Sequence, residues 1–266
     1  MRKFPGTQFS CLADNRATVA ALSAAAAAAG VTLDVFLDLN VGMNRTGIAV
    51  GNEAAEVYRA IASSPCLRAA GLHGYDGHLH NADHDKLVRD TAAAFAPFWK
   101  FRDDLVGAGL AVPLVIAGGS PTSPIHARHP GVEVGAGTTV LWDFGQANTS
   151  PDLDFLNGAM LLTRVISRPA PNRLCFDLGH KSVASEAPHP RVKLIGLEDA
   201  NFVVHSEEHL VAETPRAGEF QVGTVFYGIP RHICPTVALH SEVFVVRNGR
   251  MTETWPVVSR ARRITI

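Results

Sequence analysis

The side chains best suited to chemistry in this 266-residue sequence fall in a few short stretches. In GIPRHICPTVALH, Gly228 to His240, His232 and Cys234 stand two apart among apolar neighbours, and an imidazole with a thiolate suits a divalent ion such as Zn²⁺. In LHGYDGHLHNADH, His73, Tyr75, His78 and His80 crowd one segment, and imidazole is the side chain that moves protons near neutral pH. In AGGSPTSPIH, the turn from Gly118 through Gly119 and Ser120 to Thr122 can aim backbone N–H groups and hydroxyls at one anion. GAGTT, Gly135 to Thr139, offers a second such turn, and Arg45 in DLNVGMNRTG adds a guanidinium. Each pattern also has an ordinary structural reading. Glycines after strands are common turn chemistry, cysteine is often a small buried hydrophobe, arginine braces loops, and histidines in a polar loop are solvated. Spacing alone leaves both readings open.

These residues need elements to carry them. FSCLA, Phe9 to Ala13, reads as a short strand, and Asp14-Asn15 supplies an N-cap for an alanine-rich helix over Arg16–Ala29, stopped by Gly30. LDVFLDLN, Leu33 to Asn40, is a second strand, followed by a helix over about 53–63. LRAAGLHGY is a third strand before a helix over about 85–110, and VPLVIAGG is a fourth. VEVGAGTTVLWDF is a fifth segment with a glycine-rich break. Strands alternating with helices imply parallel βαβ units, in which chemistry gathers where strands end and loops begin. Arg45, the histidine cluster and the Gly118–Thr122 turn all follow strands.

Beyond about Asp143 the pattern changes to short β-rich runs separated by Pro, Gly and Asn-Gly turns, the pattern of an all-β domain. Asn248-Gly249 between two such runs signals a hairpin. SEEHL, Ser206 to Leu210, with His205 and His209, reads as a turn rather than a metal site. The composition narrows the partners. A formal charge of −1, with 24 basic and 25 acidic residues, gives no basic stripe for nucleic acid or anionic lipid. No stretch is apolar for the ~18 residues a membrane helix needs. Met1-Arg2-Lys3 before ALSAAAAAAG imitates a signal peptide, but Asp14, Asn15 and Arg16 interrupt it. Four irregularly spaced cysteines indicate a reducing, cytoplasmic setting, with Cys11, Cys66 and Cys175 as core residues.

Taken in order, DLNVGMNRTGI, GLHGYDGH, GGSPT, DLGHKS and HICPTVALH resemble the D-threonine aldolase and D-serine dehydratase family, from about Phe9 to the C-terminus. The resemblance implies an alanine-racemase-type fold: an incomplete (β/α)8 barrel over residues 1–145 that binds pyridoxal 5′-phosphate, then an all-β domain over 146–266 with a metal site. It implies that Arg45 approaches the cofactor's phenolic oxygen or the lysine region and that His73 and Tyr75 flank the ring. Gly119, Ser120, Thr122, Gly137 and Thr138 would hold the phosphate. His232 and Cys234 would bind Zn²⁺ or Mn²⁺, and on an extended strand residues two apart share a face. The implied activity is that of a lyase on D-β-hydroxy amino acids, foremost retro-aldol cleavage of the D-threonine aldolase type. D-serine or D-threo-3-hydroxyaspartate-type dehydration is the alternative, and a non-catalytic cofactor-binding remnant is a second one. A homodimer is expected.

Two departures stand against that pattern. Asn81 falls where the aldolases carry an active-site histidine, which makes His78 and His80 the acid–base candidates. The family's first strand carries a cofactor-binding lysine in an H-x-K-x-H-K-like stretch that is absent here. The five lysines, Lys3, Lys86, Lys100, Lys181 and Lys193, stand elsewhere. A full barrel takes about 250 residues, so the barrel-like part reads as a fragment, or as a domain completed by another chain.

Overall fold

The computed structural model describes residues 1–262 and divides into two units, Met1–Gly137 and Thr138–Ile266. The boundary expected from the sequence was 145/146. Residues 263–266, the end of the last β-rich run, lie outside the described residues.

In the first unit, β1 (Ser10–Ala13), α1 (Arg16–Ala29), β2 (Leu33–Asn40), β3 (Ile48–Ala49), α2 (Asn52–Ser63), β4 (Leu67–Gly74), α3 (His84–Gly107), β5 (Leu114–Ala117), α4 (Ser123–His126) and β6 (Val132–Val134) follow one another. The strands form one parallel sheet in the order β1-β2-β4-β5-β6, with β3 paired to β2. This is the partial β/α barrel arrangement expected. Alternation along β2 sorts its side chains. Val35, Leu37 and Leu39 join Val57, Ile61, Phe95 and Phe98 from the helices in one core, while Asp34, Phe36 and Asp38 occupy the alternate positions. Helix α1 begins where Asn15 Oδ1 accepts from Thr18 N–H (2.8 Å) and ends at Gly30, whose φ of +62° suits a residue without a Cβ. At Gly71 a side chain is excluded: φ is +143° and a Cβ would sit 1.8 Å from the Leu114 carbonyl oxygen on the neighbouring strand.

In the second unit, α5 (Phe144–Thr149), β7 (Leu161–Ala170), β8 (Arg173–Phe176), β9 (Val192–Leu194), β10 (Asn201–His205), β11 (Leu210–Glu213), β12 (Val225–Pro230), α6 (Ile233–Val237), β13 (Glu242–Arg247) and β14 (Arg250–Pro256) appear in order. An antiparallel sheet runs β10-β11-β8-β7-β12-β9 around a core that includes Val165, Leu174, Phe176, Leu194 and Phe226. This is the β-domain expected, with two short helices, α5 and α6, set between its strands. Strands β9, β10 and β11 were not read from the sequence. The SEEHL turn does close β10–β11, with Ser206 N–H donating to the His209 carbonyl (2.9 Å). Strands β13 and β14 form the expected hairpin, with Asn248 and Gly249 both at positive φ (52° and 73°).

The four cysteines are free, with Cys11, Cys66 and Cys175 half-buried and Cys234 exposed. Burial pushes the Cys11 and Cys175 thiols up, Asp177 adding to the second. Among the described residues no helix is long and apolar enough to cross a membrane.

Candidate functional site

The polar residues of the first unit gather at the C-terminal ends of its strands. After β2, the chain turns on Asn40, whose Oδ1 accepts from Gly42 N–H (3.0 Å) and Asn44 N–H (3.1 Å) while its amide donates to Asn44 Oδ1 (2.9 Å). That asparagine-built turn presents Arg45, and the Arg45 guanidinium lies 4.4 Å from the Tyr75 ring centroid in a cation–π stack. The Tyr75 ring fits because Gly77 has no side chain; a Cβ there would lie 2.3 Å from the Tyr75 hydroxyl. Two predicted cofactor residues, from loops about 30 positions apart, are thereby brought together.

His73 sits on β4 directly across from Asp38 on β2. Its Nδ1 lies 2.6 Å from Asp38 Oδ1. An ionised carboxylate only accepts, so Nδ1 holds the proton there and the ring orientation is set. His78 packs over Gly42, where a Cβ would meet its Nε2 at 2.9 Å, and its buried Nδ1 has no hydrogen-bond partner among the described residues. His80 is exposed. The two acid–base candidates are therefore unlike each other.

The Gly118–Thr122 turn is organised from within. Asp76 is fully buried; its Oδ1 accepts from Gly119 N–H (2.7 Å) and the Thr122 hydroxyl (2.8 Å), and its Oδ2 lies 2.9 Å from His126 Nε2. Two groups expected to hold a phosphate, the Gly119 N–H and the Thr122 hydroxyl, are turned inward onto a carboxylate. Ser120 is buried in the same turn. Gly137 N–H donates to the Gly135 carbonyl (3.2 Å). Thr138, also expected at the phosphate, has its hydroxyl 3.6 Å from the Cys234 sulfur.

In the second unit, the His232–Cys234 geometry corrects the strand expectation. Strand β12 stops at Pro230, His232 is the N-cap of α6, and Cys234 lies in its first turn, one residue before Pro235. Proline is tolerated there because first-turn N–H groups have no intrahelical partner. The influence of Cys234 raises the His232 pKa to about 9, Glu186 adding to it against partial burial. In turn His232 lowers the Cys234 pKa, with help from the Thr138 hydroxyl. Glu186 Oε1 stands 2.6 Å from His232 Nδ1. Asp143, almost wholly buried, caps α5 by accepting from Gln146 N–H (2.7 Å) and accepts from Ile233 N–H (2.9 Å), fixing the start of α6. Among the described residues, no group of three or more His, Cys, Asp or Glu side chains is arranged to hold a metal ion.

Sequence reasoning missed Asp38, Asp76, His126, Asp143 and Glu186. Asp76 stands inside GYDGH, but its partners lie 43 to 50 positions away, and no local spacing signals that.

No lysine joins these groups. Lys86 and Lys100 pair with Asp90 and Asp104 one turn along α3, Lys181 pairs with Glu207 and Glu208, Lys3 lies over Phe4, and Lys193 is exposed on β9.

Comparison with known proteins places both halves. The model of the alanine racemase N-terminal domain matches residues 3–141, and that of a putative serine dehydratase domain matches residues 158–246. A D-threonine aldolase of Arthrobacter sp is 26% identical over 261 residues, covering 95% of this chain and 68% of its own length. A 3-hydroxy-D-aspartate aldolase of Paracoccus denitrificans (strain Pd 1222) is 28% identical over 268 residues, covering 97% of this chain and 68% of its own. The crystal structure of D-threonine aldolase from Filomicrobium marinum superposes with a TM-score of 0.88 at 24% identity, covering 96% of this chain and 70% of that one.

Proposed function

We propose a function from the premise that this chain belongs to the alanine racemase N-terminal domain family, in its D-threonine aldolase and D-serine dehydratase-like branch: it is a lyase acting on D-β-hydroxy amino acids, with retro-aldol cleavage as the reaction. The observation that carries the reading is the His232–Cys234 pair at the N-terminus of α6, with the imidazole gripped by Glu186.

The donor set fits a divalent ion. A thiolate and an imidazole are borderline-soft ligands, and a carboxylate on the far ring nitrogen orients a ligating histidine and raises its basicity. Such an ion, Zn²⁺ or Mn²⁺, would polarise the substrate's β-hydroxyl. Pyridoxal 5′-phosphate supplies an electron sink for a bond broken at Cα. The first unit fits a planar phosphorylated ring for holding: an arginine stacked on a tyrosine, an oriented histidine and a glycine turn. It does not fit covalent attachment, because none of the five lysines stands with these groups.

The chain's own residues then have separable tasks. Arg45 and Tyr75 offer a charged, flat edge, and Asp38 keeps the proton on the Nδ1 side of His73. His78 and His80 are the groups proposed to move protons, His80 from solvent and His78 from its seat on Gly42. Cleavage between Cα and Cβ of a D-β-hydroxy acid needs the hydroxyl proton removed and a proton returned to Cα, both within reach of general acid–base catalysis.

Dehydration is the second reading, favoured by the serine dehydratase domain match across His232 and Cys234. A homodimer belongs to the same proposal, supported by the exposed Phe244, Val246, Met251 and Trp255 of the β13–β14 hairpin. The four unpaired cysteines support a cytoplasmic setting.

The test is direct. Purified chain is supplied with pyridoxal 5′-phosphate and Zn²⁺ or Mn²⁺, then with D-threonine, D-3-hydroxyaspartate or D-serine. Aldehyde plus glycine indicates the aldolase, and keto acid plus ammonia the dehydratase. Absence of both, with cofactor bound, leaves the remnant reading. His232→Ala should abolish metal retention by elemental analysis; retention unchanged would sink the metal assignment.

A further inference from the structure

We propose that Asp76 is the positioning residue of the phosphate-facing turn, acting on the cofactor through Gly119 and Thr122 rather than by touching it. The inference rests on the cofactor reading above. Asp76, Thr122 and His126 are each buried to within 1% of full exclusion from solvent. A carboxylate so placed is tolerable only with its oxygens satisfied. Gly119 N–H and the Thr122 hydroxyl satisfy Oδ1, and His126 Nε2 satisfies Oδ2. Gly119 N–H also reaches Thr122 Oγ1 (3.1 Å), which cross-links the turn to itself.

Packing leaves the turn little alternative. Gly118 has φ +84°, and a Cβ there would lie 2.5 Å from His126 Cδ2 and 2.9 Å from Thr122 Oγ1. His126 in turn packs against Phe95, ring centroids 4.4 Å apart, with its Nδ1 unpartnered among the described residues. A Cβ on Gly119 would approach the Tyr75 ring at 3.3 Å, so the same turn lies beside the aromatic that stacks on Arg45. Asp76 thus joins the loop after β4 to the loop after β5 and to α4. Donors already turned onto Asp76 cannot also meet a phosphate. Their role is to fix the backbone course of Gly118–Ser123, and with it the direction of the rest of the turn. Exchanging the carboxylate for an amide keeps one acceptor oxygen, removes the charge that strengthens these hydrogen bonds and puts a donor opposite His126 Nε2, so the turn would relax.

The role predicts a selective defect. The 266-residue chain is titrated calorimetrically with 4-deoxypyridoxine 5′-phosphate and with 4-deoxypyridoxine, neither of which carries an aldehyde to react with surface lysines. Asp76→Asn and Thr122→Val should each weaken the phosphorylated ligand by about tenfold or more and leave the unphosphorylated one within about twofold. Thr122→Ser, which keeps the hydroxyl, should bind as wild type. Amide exchange in 118–126 of ligand-free Asp76→Asn should accelerate. Equal weakening of both ligands would mean a merely structural role and overturn the inference. So would a folded Asp76→Asn or Thr122→Val protein that kept the wild-type preference for phosphate. Wild-type protein with no preference for the phosphorylated ligand would overturn the cofactor reading, and this inference with it.

Discussion

Removing the Asp143 carboxylate tests how the proposed metal pair is held. Its Oδ1 accepts from Gln146 N–H and its Oδ2 from Ile233 N–H, and the residue is 1% exposed. Asp143→Ala loses a helix N-cap, about 1 kcal/mol, and strands the Ile233 N–H without water, roughly 1–3 kcal/mol. The expected cost is about 2–4 kcal/mol, which in a chain of this size lowers the melting temperature by roughly 4–16 °C. Asp143→Asn separates the two contributions. Asparagine caps as well as aspartate, but its amide would face the Ile233 N–H, so this variant should lose only the second part, about 1–3 kcal/mol. Because Ile233 lies between His232 and Cys234, both variants should also weaken Zn²⁺ binding, about tenfold or more, as losses beside metal ligands do. Urea titration gives the stability and competition with a chromophoric chelator gives the affinity. Asp143→Ala with wild-type stability, within about 0.5 kcal/mol, would refute the capping argument. Asp143→Asn that lost stability yet bound Zn²⁺ normally would refute the link from cap to metal pair.

The sulfur of Cys234 should show its environment directly. Its pKa lies below the ordinary thiol value because of His232, so metal-free protein should react with iodoacetamide below that range, the rate falling only as pH drops through the lowered value. His232→Ala should move the midpoint upward, while half-buried Cys11 and Cys175, raised by burial, stay slow throughout; peptide mass spectrometry separates the sites. Gly71→Ala should cost roughly 3 kcal/mol or more, since its Cβ would enter the Leu114 carbonyl; a soluble variant with an unchanged urea midpoint would show that β4 and β5 can part. Asn15→Ala should cost about 1 kcal/mol by loss of the α1 cap, read from the same titration.

The sequence carried some elements to the residue. Helix α1 is bounded by a side-chain cap and a C-terminal glycine, and β2 by an apolar run between polar turns, so both match the expected Arg16–Ala29 and Leu33–Asn40. The course of HICPTV was not legible in the same way. A short apolar run has no period long enough to separate strand from helix, and the deciding facts were Pro235 in the first turn and Asp143 reaching Ile233 from 90 positions away. The coupling between His232 and Cys234 survives that correction on different ground from shared strand faces: one caps α6 and the other lies in its first turn.

Three buried aspartates explain why the motifs alone could not describe these sites. Asp38 orients His73 across two strands, Asp76 holds Gly119 and Thr122, and Asp143 holds the first turn of α6. Each takes at least one partner from 35 to 90 positions away. The motif residues are recognisable because their types and close spacing suit a ring, an anion or an ion. The aspartates direct theirs inward, to backbone N–H groups, a hydroxyl and imidazole nitrogens. A carboxylate does this well because it accepts several hydrogen bonds at once and donates none, so one side chain can fix two loops. It follows that substitutions at the aspartates should change how the motif residues are aimed before they change which groups are present. Comparing Asp38→Asn with His73→Gln would show this for the first unit: the same ligand affinity lost in both variants, with the His73 ring still present in one, would place the defect in orientation.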